Sequence, residues 1–271
     1  PAMTSPNILF IQADQMAASM SSVYGHPLVR TPHLEALANG GVTFDNAYCN
    51  NPICAPSRFS MMSGQLSSRI GAYDNAAEFP STVPTFAHYL RAIGYHTCLS
   101  GKMHFVGPDQ LHGFEERLTT DIYPSDFGWT PDWSLGDKQR PPSGMSMRSV
   151  VEAGVCARSL QIDYDEEVAY HAERKLYDYA RDPSGRPFFL AASFTHPHNP
   201  FTITPDYWDL YDHDAIDMPA DPGLAPAERD AFSRRYQYLI RMDEHEVGEE
   251  HIRNARHAYY AMITYIDDKV G

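Results

Sequence analysis

The chain of 271 residues has no long apolar run, no Lys/Arg tract and no Cys-x-x-Cys pair. Each absence removes a class. Without about 20 consecutive apolar residues no membrane-spanning helix is expected, and without a charged-then-apolar N-terminal segment no secretory signal is read. A cytoplasmic location is therefore expected, with Pro1–Pro6 as a short leader before the first strand. Basic residues are scarce, 21 Lys+Arg against 35 Asp+Glu for a net charge of −14, so no phosphate-reading stripe forms and nucleic acid is excluded as a partner. The four cysteines, Cys49, Cys54, Cys98 and Cys156, are too few and scattered for a disulfide scaffold. No Gly/Ser-rich linker, internal repeat or low-complexity segment is present. At 43% hydrophobic and 12% aromatic residues, the chain can bury a sizeable core.

What is there alternates. Asn7–Ala13 is apolar at its centre, as in a strand buried on both faces. Thr31-Pro32 begins a helix through Ala38 that Gly40-Gly41 stops, and Val83-Pro84 begins another with Phe86, Leu90 and Ile93 on one face. Tyr95–Ser100 and Pro187–Phe194 are further strand candidates, the second preceded by a helix from about Glu166 to Arg181. Helices alternating with buried strands predict an α/β fold with helices on both faces of the sheet. Gly107–Arg148 shows little periodicity and reads as a long loop, a kind of segment that is usually functional or mobile. His251–Val270 has Ile252, Ala255, Tyr259, Met262, Ile263 and Ile266 at helical spacing, with nothing evident to pack against.

Three polar clusters follow predicted strands directly: Asp14, Lys102 with His104, and His196 with His198. Open α/β sheets bind ligands outside the carboxyl ends of their strands, so these clusters are expected to converge. Any one alone reads as ordinary loop polarity. Cys54-Ala55-Pro56-Ser57-Arg58 adds a thiol at a helix start, a first-turn proline and a fixed cation one turn later. Cys54 by itself is a small hydrophobe, but in this setting it is a candidate reactive group.

Cys-x-Pro-Ser-Arg resembles the core of the sulfatase signature. The resemblance extends over nearly the whole chain: Asn7–Phe10 through Asp14-Gln15, Asn51–Arg58, Ser63–Gln65, Gly71–Asn75, Gly101–Pro108, Gly128–Trp133, Thr195–Pro200 and Ala258–Tyr260. Gly101–Gly107 and Gly128–Trp133 are similar to the choline-sulfatase branch. The resemblance implies an alkaline-phosphatase-like sandwich with a mostly parallel central sheet flanked by helices, of which residues 1–271 are the N-terminal part. It also implies conversion of Cys54 to Cα-formylglycine by a maturation enzyme, the hydrated aldehyde then attacking sulfur. The second diol hydroxyl later loses its proton, expels sulfate and restores the aldehyde.

Carried residue by residue, the resemblance implies that Asp14 and position 54 bind a divalent metal, Ca²⁺ first, with Mg²⁺ or Mn²⁺ as alternatives. Arg58 and Lys102 hold the diol and a sulfate oxygen, and His104 assists proton removal. His198, preferred to His196, contacts sulfate or protonates the leaving oxygen. Trp129, followed by Trp133, is the candidate aromatic wall for a quaternary ammonium, making choline-O-sulfate the expected substrate; as a core tryptophan it is equally well explained. Ser143–Met147 aligns with part of the pocket without matching residues.

Two departures stand out. Ala13-Asp14 gives one carboxylate where many sulfatases have two, and the family's Ser-Asp-His-Gly-Asp-type segment and downstream lysine are absent. The chain therefore reads as the N-terminal half of a catalytic domain, expected to self-associate as a homo-oligomer. Two other readings stay open: a phosphonate or phosphate ester hydrolase with the same nucleophile, and a non-catalytic fragment that binds choline-like or sulfated ligands. A thiol or redox enzyme is more distant, because Cys54 has no adjacent resolving cysteine.

Overall fold

The computed structural model describes residues 5–123, 126–130, 132–140, 146–220, 223–224 and 228–271. In chain order its strands are β1 (Ile8–Gln12), β2 (His96–Gly101), β3 (Glu116–Arg117), β4 (Gly154–Val155), β5 (Phe188–Ser193) and β6 (Thr202–Ile203). Its α-helices are α1 (Pro32–Gly40), α2 (Cys54–Ser63), α3 (Ser67–Ile70), α4 (Phe86–Ala92), α5 (Arg148–Val151), α6 (Leu160–Arg181), α7 (Pro205–Trp208), α8 (Ala231–Leu239) and α9 (Glu249–Val270). The chain divides into two compact units: the first takes Pro1–Asp14, Thr43–Thr130 and Leu160–Thr195, the second Gln15–Val42, Pro131–Ser159 and His196–Gly271.

The first unit is built on a four-stranded parallel sheet in the order β1-β5-β2-β3. Its central strands are buried on both faces, as parallel strands covered by helices must be. Successive residues of β2 show this: Leu99 enters a core with Phe59, Met62, Phe79, Phe105 and Phe114, whereas the Ser100 hydroxyl donates 2.9 Å to the Val168 carbonyl of α6. Phe59 and Phe79 stack within that core at 4.5 Å. α6 covers the other face and buries Ile162, Val168 and Ala172.

Register places the active end. Gln12 pairs with Ser193, which also pairs with Gly101, so β1, β5 and β2 end level. Gly101 is required there: its φ is +112°, and an added Cβ would lie 2.0 Å from the Ser193 carbonyl oxygen.

In the second unit α9 is the organising element. It packs against α1, α5, α7, β4 and β6 and buries Ala255, His257, Ala258 and the whole run Tyr260–Asp267. The helix that lacked a visible partner in sequence is thus the centre of a core assembled from distant segments. Asp267 caps α1 by accepting the His33 and Leu34 backbone N–H groups at 3.0 and 2.8 Å. β4 and β6 form a parallel pair. No helix among the described residues is long and apolar enough to cross a membrane.

Three boundaries differ from expectation. The helix expected from Val83-Pro84 begins at Phe86, because Thr85 is its N-cap and exchanges hydrogen bonds with His88. α6 begins six residues before Glu166, at Leu160, because Ile162, Tyr164 and Asp165 are buried and packing extends the helix. The stretch read as one long loop contains β3 and a 3₁₀ turn at Trp133–Lys138. Pro131 and residues 143–145 lie outside the described residues, as does the Trp133 side chain.

Candidate active site

Cys54 is the first residue of α2, entered through Ile53 in extended conformation. Two asparagines fix this entry: Asn51 accepts the Ile53 N–H at 2.8 Å, and Asn75 accepts the Ala55 N–H at 3.0 Å. Both satisfy donors that a helix start leaves open, since Ile53 has no capping side chain. Asn75 lies in the Gly71–Asn75 segment that carried the resemblance, but nothing in its spacing announced this role.

Arg58, one turn on and 3% exposed, reaches the level strand ends. Its guanidinium donates to the Asp14 carboxylate at 2.9 Å, the Ser193 hydroxyl at 2.9 Å, the Gln12 side chain at 3.2 Å and the Lys102 carbonyl at 2.6 Å. Gln12 and Ser193 were not singled out in the sequence, because each occupies a strand position whose direction only register reveals.

Lys102 follows β2 with its side chain fully buried, and its ammonium meets the same Asp14 oxygen at 2.7 Å. Asp14's other oxygen lies 3.7 Å from the Cys54 sulfur, and Lys102 Nζ lies 3.9 Å from it. Two cations thus converge on one carboxylate beside position 54. Formal charge is +2 from Arg58 and Lys102 against −1 from Asp14, an excess that favours an anion.

That environment does not activate the thiol. Burial pushes the Cys54 thiol pKa up, and Asp14 adds to this; Lys102 and Arg58 oppose without overcoming it. A thiol enzyme needs the reverse.

His104 lies just beyond Lys102 with φ +62°, in the left-handed region that few non-glycine residues adopt. It is buried, and neither ring nitrogen has a hydrogen-bond partner among the described residues. Burial, followed by Lys102, lowers its pKa to about 4. Trp129 meets its ring edge-on at 5.4 Å, and Tyr123 lies 5.3 Å from it. Tyr123 and Trp129 are 4.9 Å apart, and Lys102 Nζ stands 4.4 Å over the Tyr123 ring. Trp129 is partly buried, at the edge of an aromatic patch continuous with the charged centre. Burial pushes the Tyr123 phenol pKa upward, so it stays protonated. Tyr123 was missed because its segment has no period to read.

The structure therefore brings Asp14, Cys54, Arg58, Lys102, His104 and Trp129 into the first unit. The two histidines after β5 belong to the second. His196 is fully buried, its ring 4.9 Å from Tyr265. His198 is partly exposed, with Nδ1 2.6 Å from the Asn199 carbonyl, which makes Nδ1 the protonated nitrogen.

A hard divalent cation takes about six to eight oxygen ligands at about 2.4 Å. The 3.7 Å between Asp14 Oδ1 and the position-54 side chain suits two ligands of one ion, once that side chain offers oxygen in place of sulfur. Asp14 and position 54 therefore fit one side of such a site and leave most of the ligand set to be supplied from elsewhere.

The sulfatase family model matches residues 6–271. The choline-sulfatase of Rhizobium meliloti is 48% identical over 270 residues, covering 98% of this chain and 52% of that protein. An arylsulfatase of Clostridium perfringens is 27% identical over 288 residues, covering 98% of this chain and 58% of that protein. Among solved structures, the phosphonate monoester hydrolase of Agrobacterium radiobacter superposes with a TM-score of 0.70 at 21% identity, over 98% of this chain and 58% of that one, a likeness of fold. The chain spans about half the length of the curated relatives it matches.

Proposed function

The chain belongs to the sulfatase family, and from that membership we propose that it supplies the nucleophile-bearing part of an enzyme that hydrolyses choline-O-sulfate to choline and sulfate. One observation carries the reading. Arg58 and Lys102, both buried, converge on Asp14 beside a cysteine whose thiol is held protonated. Such a centre attracts an anion yet wastes a cysteine as a thiolate, which fits a side chain converted to an oxygen nucleophile, the hydrated formylglycine.

Arg58 and Lys102 then stabilise charge on the position-54 oxygen and on a sulfuryl oxygen, as fixed donors that need no reorganisation. His104, neutral above its low pKa, accepts a proton from the diol. His198 acts on the sulfate or the leaving oxygen. Asp14 and position 54 would hold a divalent cation, Ca²⁺ by preference, that polarises the sulfate. The choline assignment is supported by the 48% identity to a choline-sulfatase and by the aromatic patch of Tyr123 and Trp129, since a quaternary ammonium is recognised by aromatic faces. The reading includes a formylglycine-generating maturation enzyme, a cytoplasmic location and a homo-oligomeric state.

The test is a peptide mass spectrum spanning position 54 of the purified protein, paired with sulfate release from choline-O-sulfate, an aryl sulfate and a phosphonate monoester. An aldehyde at position 54 with preferred turnover of choline-O-sulfate supports the reading. Preference for the phosphonate would replace it with the related phosphorus chemistry. Choline binding with an intact thiol and no turnover would make the molecule a binding fragment.

A further inference from the structure

Asp121 has no part in the chemistry described above, yet it is buried beside it. Its Oδ2 accepts the backbone N–H groups of Met103 at 3.1 Å and His104 at 2.6 Å, and pairs with Arg117 at 3.1 Å. Arg117 is itself fixed, donating to the Thr119 carbonyl at 2.9 Å and the Gln110 side chain at 2.7 Å. This braced carboxylate grips a segment in which a histidine, His104, is held at positive φ. Its Oδ1 has no partner among the described residues, and neither has either nitrogen of the His104 ring.

We propose that Asp121 is a positioning residue of the candidate site: it fixes the Met103–His104 backbone so that Lys102 and His104 face position 54, and it is the carboxylate that balances His104 when the ring carries a proton. One carboxylate oxygen is held 2.6 Å from the His104 backbone N–H. The other is buried without a hydrogen-bond partner among the described residues, as are both nitrogens of the His104 ring; this pairing of unmet groups on adjoining residues points to a role in the proton-bearing form. The other groups acting on His104 are Lys102 and Arg58, which oppose its protonation, and Asp14, which favours it; Tyr123 packs on its ring. Asp121 is the largest contributor favouring the charged form. The kinetic part of this proposal rests on the reading of His104 as proton acceptor; the placement of Asp121 does not.

Two readouts separate the two claims. In the purified enzyme, Asp121→Asn is expected to lower kcat roughly 10- to 100-fold with KM for choline-O-sulfate within about threefold, the size seen when the support of a reacting group is lost. Asp121→Glu should recover part of the loss. Independently of turnover, NMR titration of ¹⁵N-histidine, with His104 assigned through His104→Gln, should show His104 protonating at lower pH in Asp121→Asn. If Asp121→Asn does not fold, Arg117→Gln serves instead: freed of its guanidinium partner, Asp121 should move His104 protonation to higher pH. A His104 titration unmoved in the folded variant overturns the proposal whether or not the enzyme turns over. A shifted titration with unchanged kcat leaves Asp121 as the partner of His104 and removes His104 from the proposed reaction.

Discussion

Lys102 and Asp14 are joined by a 2.7 Å ion pair in which the lysine side chain is completely buried. Breaking a buried pair by deleting one partner usually costs about 3–5 kcal/mol, because the other charge is stranded. Here Arg58 also holds Asp14, so the carboxylate would not be left alone.

Lys102→Met should therefore fold, with a loss nearer 1–3 kcal/mol, roughly that of an unmade hydrogen bond to a charged group. Its sulfate-ester turnover should fall by about 10²- to 10³-fold, as for loss of one preorganised donor. Thermal melting and steady-state assays measure the two separately; an unchanged kcat would remove Lys102 from the site.

Cys54 should be a sluggish thiol wherever it remains unconverted. Because burial raises its pKa, the thiolate fraction at neutral pH is smaller than for an ordinary cysteine, and alkylation rises only at higher pH. Cys49, which is exposed, is the internal comparison. Iodoacetamide labelling followed by peptide mass spectrometry should modify Cys49 well before Cys54.

Trp129→Ala should raise KM for choline-O-sulfate by roughly 3- to 30-fold, the equivalent of a cation–π contact of about 0.5–2 kcal/mol. An uncharged aryl sulfate should be affected much less. Equal losses on both substrates would place Trp129 in packing rather than recognition.

His104 should make the protein acid-sensitive. The unfolded chain takes up a proton near 6.5, whereas the folded site resists until about 4, so the native state binds fewer protons in that interval. The stability at stake is complete above pH 6.5 and declines as pH falls toward 4. His26, His96, His112 and His257 have pKa values lowered by burial and share the trend. His104→Gln should flatten part of the melting-temperature slope across this window. The Asp121 carboxyl is held low by Arg117 and His104 despite its burial, so the stability it contributes is complete above its ordinary value of 3.8 and is lost only as pH falls below it.

The strands and long helices were legible because apolar runs and helical spacing are local properties. The placement of Asp14 and Lys102 just beyond strands predicted that they would meet, and they do. What sequence could not show was direction. Gln12 and Ser193 look like ordinary strand residues until register sets both within reach of Arg58. Asp121 and Tyr123 belong to a stretch whose conformation depends on the buried Arg117 and the His104 ring, contacts that leave no periodic trace. The partner of α9 was hidden for a similar reason: its core is drawn from short segments far apart in the chain.

One of the two central strands of the parallel sheet, β5, is the last of its four to be encountered along the chain. β2 can pair with β3 early, but β1 has no neighbour until β5 slides between it and β2, so the sheet stays in two parts for most of the unit's synthesis. At roughly 5–20 residues per second, the interval between Cys54 and Ser193 leaving the ribosome is on the order of 10–30 s. Throughout that delay the strand ends that later enclose Cys54 have not come together. The maturation enzyme proposed above would find position 54 most open in that interval, before the folded unit leaves the side chain only partly exposed.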